Sequence, residues 1–150
     1  METKSFTQHG KLMYLIFIPL IITNLYLFAN ASANLGEQTK YYAILSLLFL
    51  LCLACFNKIT ITITKQTLSF SMGIGLIKKT YPLSNIKSCT PIKNSIINGW
   101  GIRLIQGGWL YNVSGFHAIE VQFKNETKII RIGTDKPEEV AEEVNKFLKK

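Results

Sequence analysis

Hydrophobic residues follow three different spacings along this chain. Two long uncharged runs, at 12–28 and 41–56, come first. From residue 58 to about 132 apolar and polar residues alternate, and after residue 134 apolar residues recur every three or four positions. The first spacing is typical of membrane helices, the second of half-buried strands and the third of an amphipathic helix. The pattern therefore predicts a helical membrane hairpin over 1–57 and an α+β domain over 58–150.

The two uncharged runs are long enough to cross a bilayer, although they lie at the short end of the usual range. The first holds eleven Leu, Ile or Phe residues and the second holds nine. A cleaved signal peptide is the main alternative for the first run, because the small residues 29–33 that follow it suit a cleavage site. The length of the first run and the arrival of a second run favour two membrane spans.

Charge on either side of the runs predicts their orientation. Lys4 and Lys11 precede the first run, and a strongly basic remainder follows the second. The connecting loop carries only Glu37 and Lys40. Because positively charged flanks stay on the cytoplasmic side, we expect a multi-pass protein of the inner (plasma) membrane with both termini in the cytoplasm.

Alternation after residue 58 predicts a sheet. Isoleucines and threonines alternate over 59–64, and after a tight turn at Lys65-Gln66 apolar residues and serines alternate over 68–72, which indicates a hairpin. Gly73 and Gly75 allow a bend before a third strand at 74–81. Further strands are predicted from residue 86 toward Pro91 and over 102–106, 109–113, 119–124 and 127–132. We expect about seven short antiparallel strands in a barrel or sandwich.

The end of the chain predicts one amphipathic helix. Its apolar stripe consists of Val140, Ala141, Val144, Phe147 and Leu148. Such a helix packs on a sheet or plugs the open end of a barrel, and a helix that binds a partner is the alternative.

The stretch from Gly99 to Gly115 holds five of the ten glycines and both tryptophans, which suggests a phosphate-binding loop. It lacks the strand–glycine–helix context and the Gly-Lys-Ser/Thr of such loops. Its glycines are better explained as turns between short strands, with the aromatic residues on alternating core positions.

Two further motifs suggest a family. The spaced Gly-Trp pattern of 99–103 and 108–115, with Gly-Thr-Asp-Lys-Pro-Glu at 133–138, resembles the bacterial pleckstrin-homology-like (PH-like) domains of small membrane proteins. The resemblance covers roughly 58–149. It implies a PH-like split β-barrel of about seven antiparallel strands with a C-terminal amphipathic helix, and no enzymatic activity. Phosphoinositide-binding PH domains use basic residues around a long first hairpin loop, whereas here Lys65 is the only charge in that turn.

The distribution of charge favours contact with a membrane surface. The chain has a net charge of +8, and residues 57–135 carry ten Lys or Arg against three acids. Beside a membrane tether, this excess favours contact with anionic lipid, with solubility and topology as the alternative explanation. The candidate interaction residues are Trp100, Arg103, Trp109, Lys78 and Lys79.

Sites for chemistry are not indicated. His9 and His117 are far apart, and His117 and Glu120 fall on opposite faces of a strand. The three cysteines suit neither a disulfide framework nor a metal site. We expect no catalytic residues, no cofactor, no metal and no nucleic-acid partner.

The sequence therefore predicts a membrane-anchored binding or assembly module that contacts the bilayer and associates with itself or with a membrane protein. A sensor of anionic lipid is the alternative. An accessory subunit of an enzyme or transporter is a third hypothesis.

Overall fold

A computed structural model describes residues 3–31 and 37–148. The strands are β1 Lys4–His9, β2 Lys58–Ile63, β3 Thr67–Met72, β4 Ile77–Pro82, β5 Ile86–Lys93, β6 Gly101–Ile105, β7 Gly108–Asn112, β8 His117–Phe123 and β9 Ile129–Gly133. The helices are α1 Lys11–Ala31, α2 Glu37–Phe56 and α3 Pro137–Leu148. Short 3₁₀ turns lie at Leu83–Asn85 and Ile96–Asn98. The predicted α+β class and the two apolar helices near the N-terminus are confirmed.

The first two helices form a long insertion between neighbouring strands of one sheet. β1 pairs with β2 in antiparallel register from Lys4–Ile63 to His9–Lys58, so α1 and α2 are inserted between two neighbouring strands. The sequence pattern does not predict β1 and places residues 4–9 in a polar tail. Because β1 ends where α1 begins and β2 begins where α2 ends, the sheet lies at one end of the helical pair.

Both helices are long and apolar enough to cross a membrane, judged by length and composition. The candidate spans are Lys11–Asn30 and Thr39–Phe56, longer than the predicted 12–28 and 41–56. Only 11 % and 6 % of these windows are buried, which is unlike the core helices of a soluble protein. The helices meet through the rings of Phe17 and Phe49, whose centroids are 6.0 Å apart. Within the predicted connecting loop, residues 32–36 lie outside the described residues.

The signal-peptide alternative conflicts with the pairing of β1. Cleavage after α1 would remove β1, whose Gln8 amide donates to the Ser114 carbonyl at 2.9 Å and whose Lys4 ammonium lies 2.7 Å from the Glu143 carboxylate. The sheet domain thus uses residues that precede the first helix.

The strands form two sheets, ordered β1-β2-β3-β4 and β5-β8-β9-β7-β6. The predicted hairpin is confirmed as β2–β3, with Ile63 opposite Leu68. The expectation of antiparallel strands throughout is wrong for one pair: β7 and β9 are parallel, because β8 turns back between them and pairs with β9 on its other side. Among the described residues, no strand pairing joins the two sheets into a closed barrel.

The core lies between the two sheets and under α3. Alternate residues of β2 and β3 point inward, and Ile61, Leu68 and Phe70 are at most 1 % exposed. They meet residues of the five-stranded sheet, for example Tyr111, whose ring centroid is 4.7 Å from that of Phe70. The stripe of α3 buries Val140, Ala141 and Val144 in the same core, as the helix pattern predicts, while Phe147 and Leu148 are partly buried against it.

Asn145 of α3 also completes the edge of β5. Its amide nitrogen donates to the Cys89 carbonyl at 2.7 Å, and its amide oxygen accepts from the Cys89 nitrogen at 3.3 Å. Lys4 of β1 pairs with Glu143 of the same helix. α3 therefore covers the side of the sandwich where β1 and β5 are the edge strands.

Candidate interaction surface

The five predicted interaction residues do not form one cluster. Trp100 and Arg103 lie together beside the helical pair, Trp109 lies on the inward face of the five-stranded sheet, and Lys78 and Lys79 lie on β4. Arg103 lies beside Trp100 but not beside Trp109, because neighbouring strand positions face opposite sides of a sheet. Arg103 is opposite Leu110, whereas Trp109 is opposite Leu104.

Trp100 and Arg103 help to line a cleft between the sheet and the bases of both helices. Its other lining residues are Met13, Ile16, Phe17, Cys52, Phe56 and Gly101, and it encloses about 290 Å³. The indole nitrogen of Trp100 donates to the Gly115 carbonyl at 3.1 Å, and its ring packs 5.9 Å from that of Phe116. The Arg103 Nε donates to the Trp100 carbonyl at 3.2 Å. These contacts hold an aromatic ring and a guanidinium at the base of the helices.

Trp109 belongs to an apolar row that crosses the five-stranded sheet. The strand registers place Cys89, Val121, Ile130, Trp109 and Leu104 side by side on the face that forms the core. The first three are at most 5 % exposed, but Trp109 is 43 % exposed and Leu104 is 75 % exposed. The inward face of the sheet thus continues beyond the part that the other sheet covers.

A second row of residues on the same face of the sheet also changes from buried to exposed toward β6. Ile119, Ile132, Tyr111 and Ile102 are adjacent across β8, β9, β7 and β6. The exposed fraction is 0 %, 0 %, 3 % and 37 % in that order. We call Ile102, Leu104 and Trp109 the open face. It lies on β7 and on β6, which is an edge strand of its sheet.

The two lysines of β4 differ in environment. The Lys79 ammonium lies 5.3 Å from the centroid of the Tyr111 ring, beside the second row. A hydrogen bond with the Tyr111 side chain raises the pKa of Lys79, although burial opposes the shift. Lys78 is exposed and opposite Ser71, so it projects from the other face of its sheet. Of the pair, only Lys79 is near the open face.

Sequence reasoning missed Ile102 and Leu104 as surface residues because it assigned every apolar residue of this region to a closed core. The alternation that defines β6 carries a signal nevertheless. Leu104 is apolar at the same strand face as Ile102, and β6 follows a long connection from β5 rather than a tight hairpin. An apolar strand reached in that way is a candidate for a sheet edge.

Another cleft lies at the end of the sheets that is away from the helical pair. It encloses about 560 Å³ where the end of α3 meets the β2–β3 turn and the residues after β4, and its lining includes Lys65, Leu83, Lys124 and Phe147. None of the predicted interaction residues lines it. It is a gap beside the last turn of α3, with two lysines at its rim.

Residues that could bind a metal ion are not brought together in the described parts of the chain. No set of three His, Cys, Asp or Glu residues there could hold a metal ion. Burial raises the pKa of the Cys89 thiol to about 12, which keeps it protonated and unreactive. The expectations of no enzyme, no cofactor and no metal stay predictions.

Comparison of the chain with family models, curated proteins and solved structures finds no match in any of the three sets.

Proposed function

We propose that this chain is a membrane-anchored PH-like module that binds and assembles protein at the membrane surface, and that it has no catalytic activity of its own. The two apolar helices anchor it in the inner (plasma) membrane. The sheet domain, both termini and α3 lie on the cytoplasmic side. The open face receives a polypeptide from a second copy or from another membrane protein.

The order of the elements supports the placement of both termini on one side. The helical pair leaves the sheet after His9 and returns at Lys58, which are paired neighbours in β1 and β2. A pair of spans inserted between paired strands must begin and end at the same membrane surface. The lysines at positions 4, 11, 58 and 65 favour the cytoplasm for that surface.

The PH-like assignment is supported by the order of elements in the domain. Two packed sheets, built mostly from antiparallel strands, are followed by one amphipathic helix that covers one side of the core. The domain has nine strands among the described residues, against an expectation of about seven, and one of them, β1, comes from before the helices.

The observation that carries a binding role is the open face. A Leu that is 75 % exposed beside a Trp that is 43 % exposed, in register with a buried core, is an incomplete interface rather than scattered surface hydrophobicity. Large aromatic residues at such positions supply much of the free energy of protein–protein contacts.

The outer edge of β6 indicates how a partner would bind. Of the other edge strands, β1 carries Lys4, β4 carries Lys78 and Lys79, and β5 is closed by Asn145. Lysines and covering elements protect sheet edges from pairing. β6 has one charge, Arg103, whose guanidinium turns back to the Trp100 carbonyl. A strand from a partner can therefore extend the sheet at β6 and lay alternate side chains over the open face.

Photo-crosslinking in native membranes tests this function. A benzophenone amino acid at Leu104 should capture a second protein chain, which mass spectrometry identifies as another copy or as a partner. The matched control places the same group at Thr90, an exposed residue of β5 on the opposite edge of the sheet. Trp109→Ala should reduce capture at position 104. Equal capture at both positions, or none at either, would contradict the proposed face.

Sensing of anionic lipid is the second candidate, favoured by the basic residues at the helical end of the domain. Lys11, Lys58, Lys93 and Arg103 are all exposed there. Flotation of the chain with neutral and anionic vesicles is uninformative while the helices anchor it. The measurement is instead the yield of crosslinking at Leu104 in membranes that differ in lipid charge and in salt concentration. A lipid sensor requires this yield to depend on both, whereas a simple assembly module does not.

A further inference from the structure

The turn between β3 and β4 lies against the last turn of α2. The backbone amide of Ile74 donates to the carbonyl of Ala54 at 3.1 Å, and the backbone amide of Gly73 donates to the carbonyl of Lys58 at 2.8 Å. Ala54 lies inside the candidate span Thr39–Phe56. The turn is therefore level with a part of α2 that belongs to the span. The side chains of Ile74 and Leu76 are nevertheless 67 % and 66 % exposed.

The cleft beside Trp100 brings a second part of the domain to the same level. Trp100 and Arg103 share this cleft with Ile16 and Phe17 of α1 and with Cys52 of α2. Phe17 lies in the second turn of its helix. The domain thus rises along the first two turns of α1 and along the last turn of α2.

Helix length decides where the membrane begins. α1 has 21 residues and α2 has 20, which correspond to about 32 Å and about 30 Å at 1.5 Å per residue. The hydrocarbon core of a bilayer is about 30 Å thick. Each helix can therefore cross the core only if nearly its whole length is used.

A membrane that began above the cleft would leave too little helix. Without its first seven residues α1 keeps about 14 residues and about 21 Å, and without its last five α2 keeps about 15 residues and about 22 Å. Both values fall short of the core by about 8–9 Å. Lipid that covers the apolar length of the helices must also surround the parts of the domain that stand beside them.

We infer that the helical end of the sheet domain is embedded in the interfacial layer of the leaflet, with the β3–β4 turn and the cleft of Trp100 and Arg103 both at the level where the headgroups meet the acyl chains. This inference rests on the proposed anchoring of the helices. Its ligand is the lipid of that leaflet itself, contacted by the described residues Ile74, Leu76, Trp100 and Arg103.

The residue types suit those depths. Isoleucine and leucine gain free energy on leaving water for hydrocarbon. Tryptophan prefers the interface, where its ring is apolar and its N–H finds a partner, here the Gly115 carbonyl. The Arg103 guanidinium uses its Nε for the Trp100 carbonyl, which leaves its two terminal nitrogens to donate to lipid phosphates, and the exposed Lys58 and Lys78 flank the turn on both sides. The 3₁₀ turn at 96–98 adds exposed Ile96 and Ile97 just before Trp100, at 74 % and 93 %.

Fluorescence quenching by brominated lipid measures the depth directly. The full chain is placed in vesicles of phosphatidylcholine and phosphatidylglycerol, in one set with bromine near the headgroup end of the acyl chains and in a second set with bromine near their methyl end, which is the depth of position 20. Trp109→Phe leaves Trp100 as the only emitter, and Trp100→Phe leaves Trp109. A third variant carries Ile74→Trp with both native tryptophans changed to Phe, and a fourth carries Leu20→Trp in that background.

Trp100 and the tryptophan at position 74 should lose most of their emission, whereas Trp109 should lose little because it lies farther along β7. Ile74→Asp with Leu76→Asp should lift the domain and reduce quenching of Trp100. Both residues are exposed, so the fold is preserved.

The tryptophan at position 20 separates the two ways of failing. Quenching there without quenching at positions 74 and 100 would show anchored helices with a domain clear of the lipid, and the inference would be overturned with the anchoring intact. No quenching at position 20 would overturn the anchoring and the inference together.

Discussion

Gly73 controls the junction between the sheet and the helical pair, and its replacement by alanine tests that junction. Gly73 has a φ of +57° and is buried. A Cβ there would overlap the backbone carbonyls of Ala54 and Cys55. Gly75, two residues on, has a φ of +94° but an open environment, where an added Cβ would meet no atom within 4 Å. Both glycines therefore have a positive φ, and only Gly73 approaches the backbone of α2 closely.

The expected costs follow from this difference. A left-handed backbone costs a non-glycine residue about 1–2 kcal/mol, and both Gly73→Ala and Gly75→Ala incur it. Gly73→Ala must also push the turn away from α2. That movement breaks the hydrogen bonds of Gly73 to Lys58 and of Ile74 to Ala54, at about 1 kcal/mol each. We expect about 3–4 kcal/mol for Gly73→Ala and about 1–2 kcal/mol for Gly75→Ala.

Thermal unfolding of the two variants in the same detergent, followed by circular dichroism of the sheet, measures the difference. For a chain of this size about 2 kcal/mol corresponds to a further fall in Tm of about 4–8 °C for Gly73→Ala. Hydrogen exchange should show early loss of protection at the amide of residue 74 in that variant alone. Equal falls in Tm would refute the reasoning, because they would mean that the turn does not rest on α2.

Three further predictions concern α3 and its partners. Asn145→Ala leaves the backbone groups of Cys89 without their partners, so the free energy of unfolding should fall by about 1–3 kcal/mol; Glu142→Ala, an exposed control on the same helix, should change it by less than about 0.5 kcal/mol. The hydrogen bond from Lys4 lowers the pKa of Glu143 in the folded protein. The pair therefore stabilises the fold fully above the ordinary glutamate pKa of about 4.3, and this stabilisation is lost as the pH falls through the lowered pKa of the folded state. Lys4→Met should therefore be less stable than the wild type at neutral pH by up to about 1 kcal/mol, and the two unfolding curves should converge in acid; a constant difference at all pH values would contradict the pairing. Burial raises the pKa of the Cys89 thiol to about 12. In a variant whose other two cysteines are replaced by alanine, a maleimide should therefore label Cys89 only after unfolding. Rapid labelling of the folded chain would contradict the buried position.

Much of the fold follows from local pattern, because most strands are half-buried and their side chains alternate. The β2–β3 hairpin is the clearest case. Only one register places the isoleucines of β2 opposite the apolar residues of β3, so that both sets lie on the buried face of the sheet. The helix α3 is equally well determined by its stripe. β1 was not predictable in this way. Its only inward apolar residue is Phe6, and its pairing with β2 joins residues that are far apart along the chain, with α1 and α2 between them.

The candidate site was less predictable, for a related reason. The sequence identifies Trp109 as an inward strand residue, and it is one. Whether an inward residue is buried depends on where the opposing sheet ends, which no local pattern records. Trp100 and Arg103 illustrate the same limit, since their environment is set by Phe17 and Phe56, which belong to segments that are distant in sequence.

The two sides of the sandwich show what the open face lacks. On the side of β1 and β5, α3 supplies buried valines, an amide for the exposed backbone of Cys89 and a carboxylate for Lys4. On the side of β4 and β6 the described residues present the same kinds of requirement. Leu104 and Trp109 are uncovered, the outer backbone of β6 has no strand beside it, and Lys79 has an aromatic ring rather than a carboxylate. A partner segment that carries alternating apolar side chains and one acidic residue would satisfy all three. Since α3 meets its requirements from within the chain, the unfilled side is the one that we propose another chain to cover.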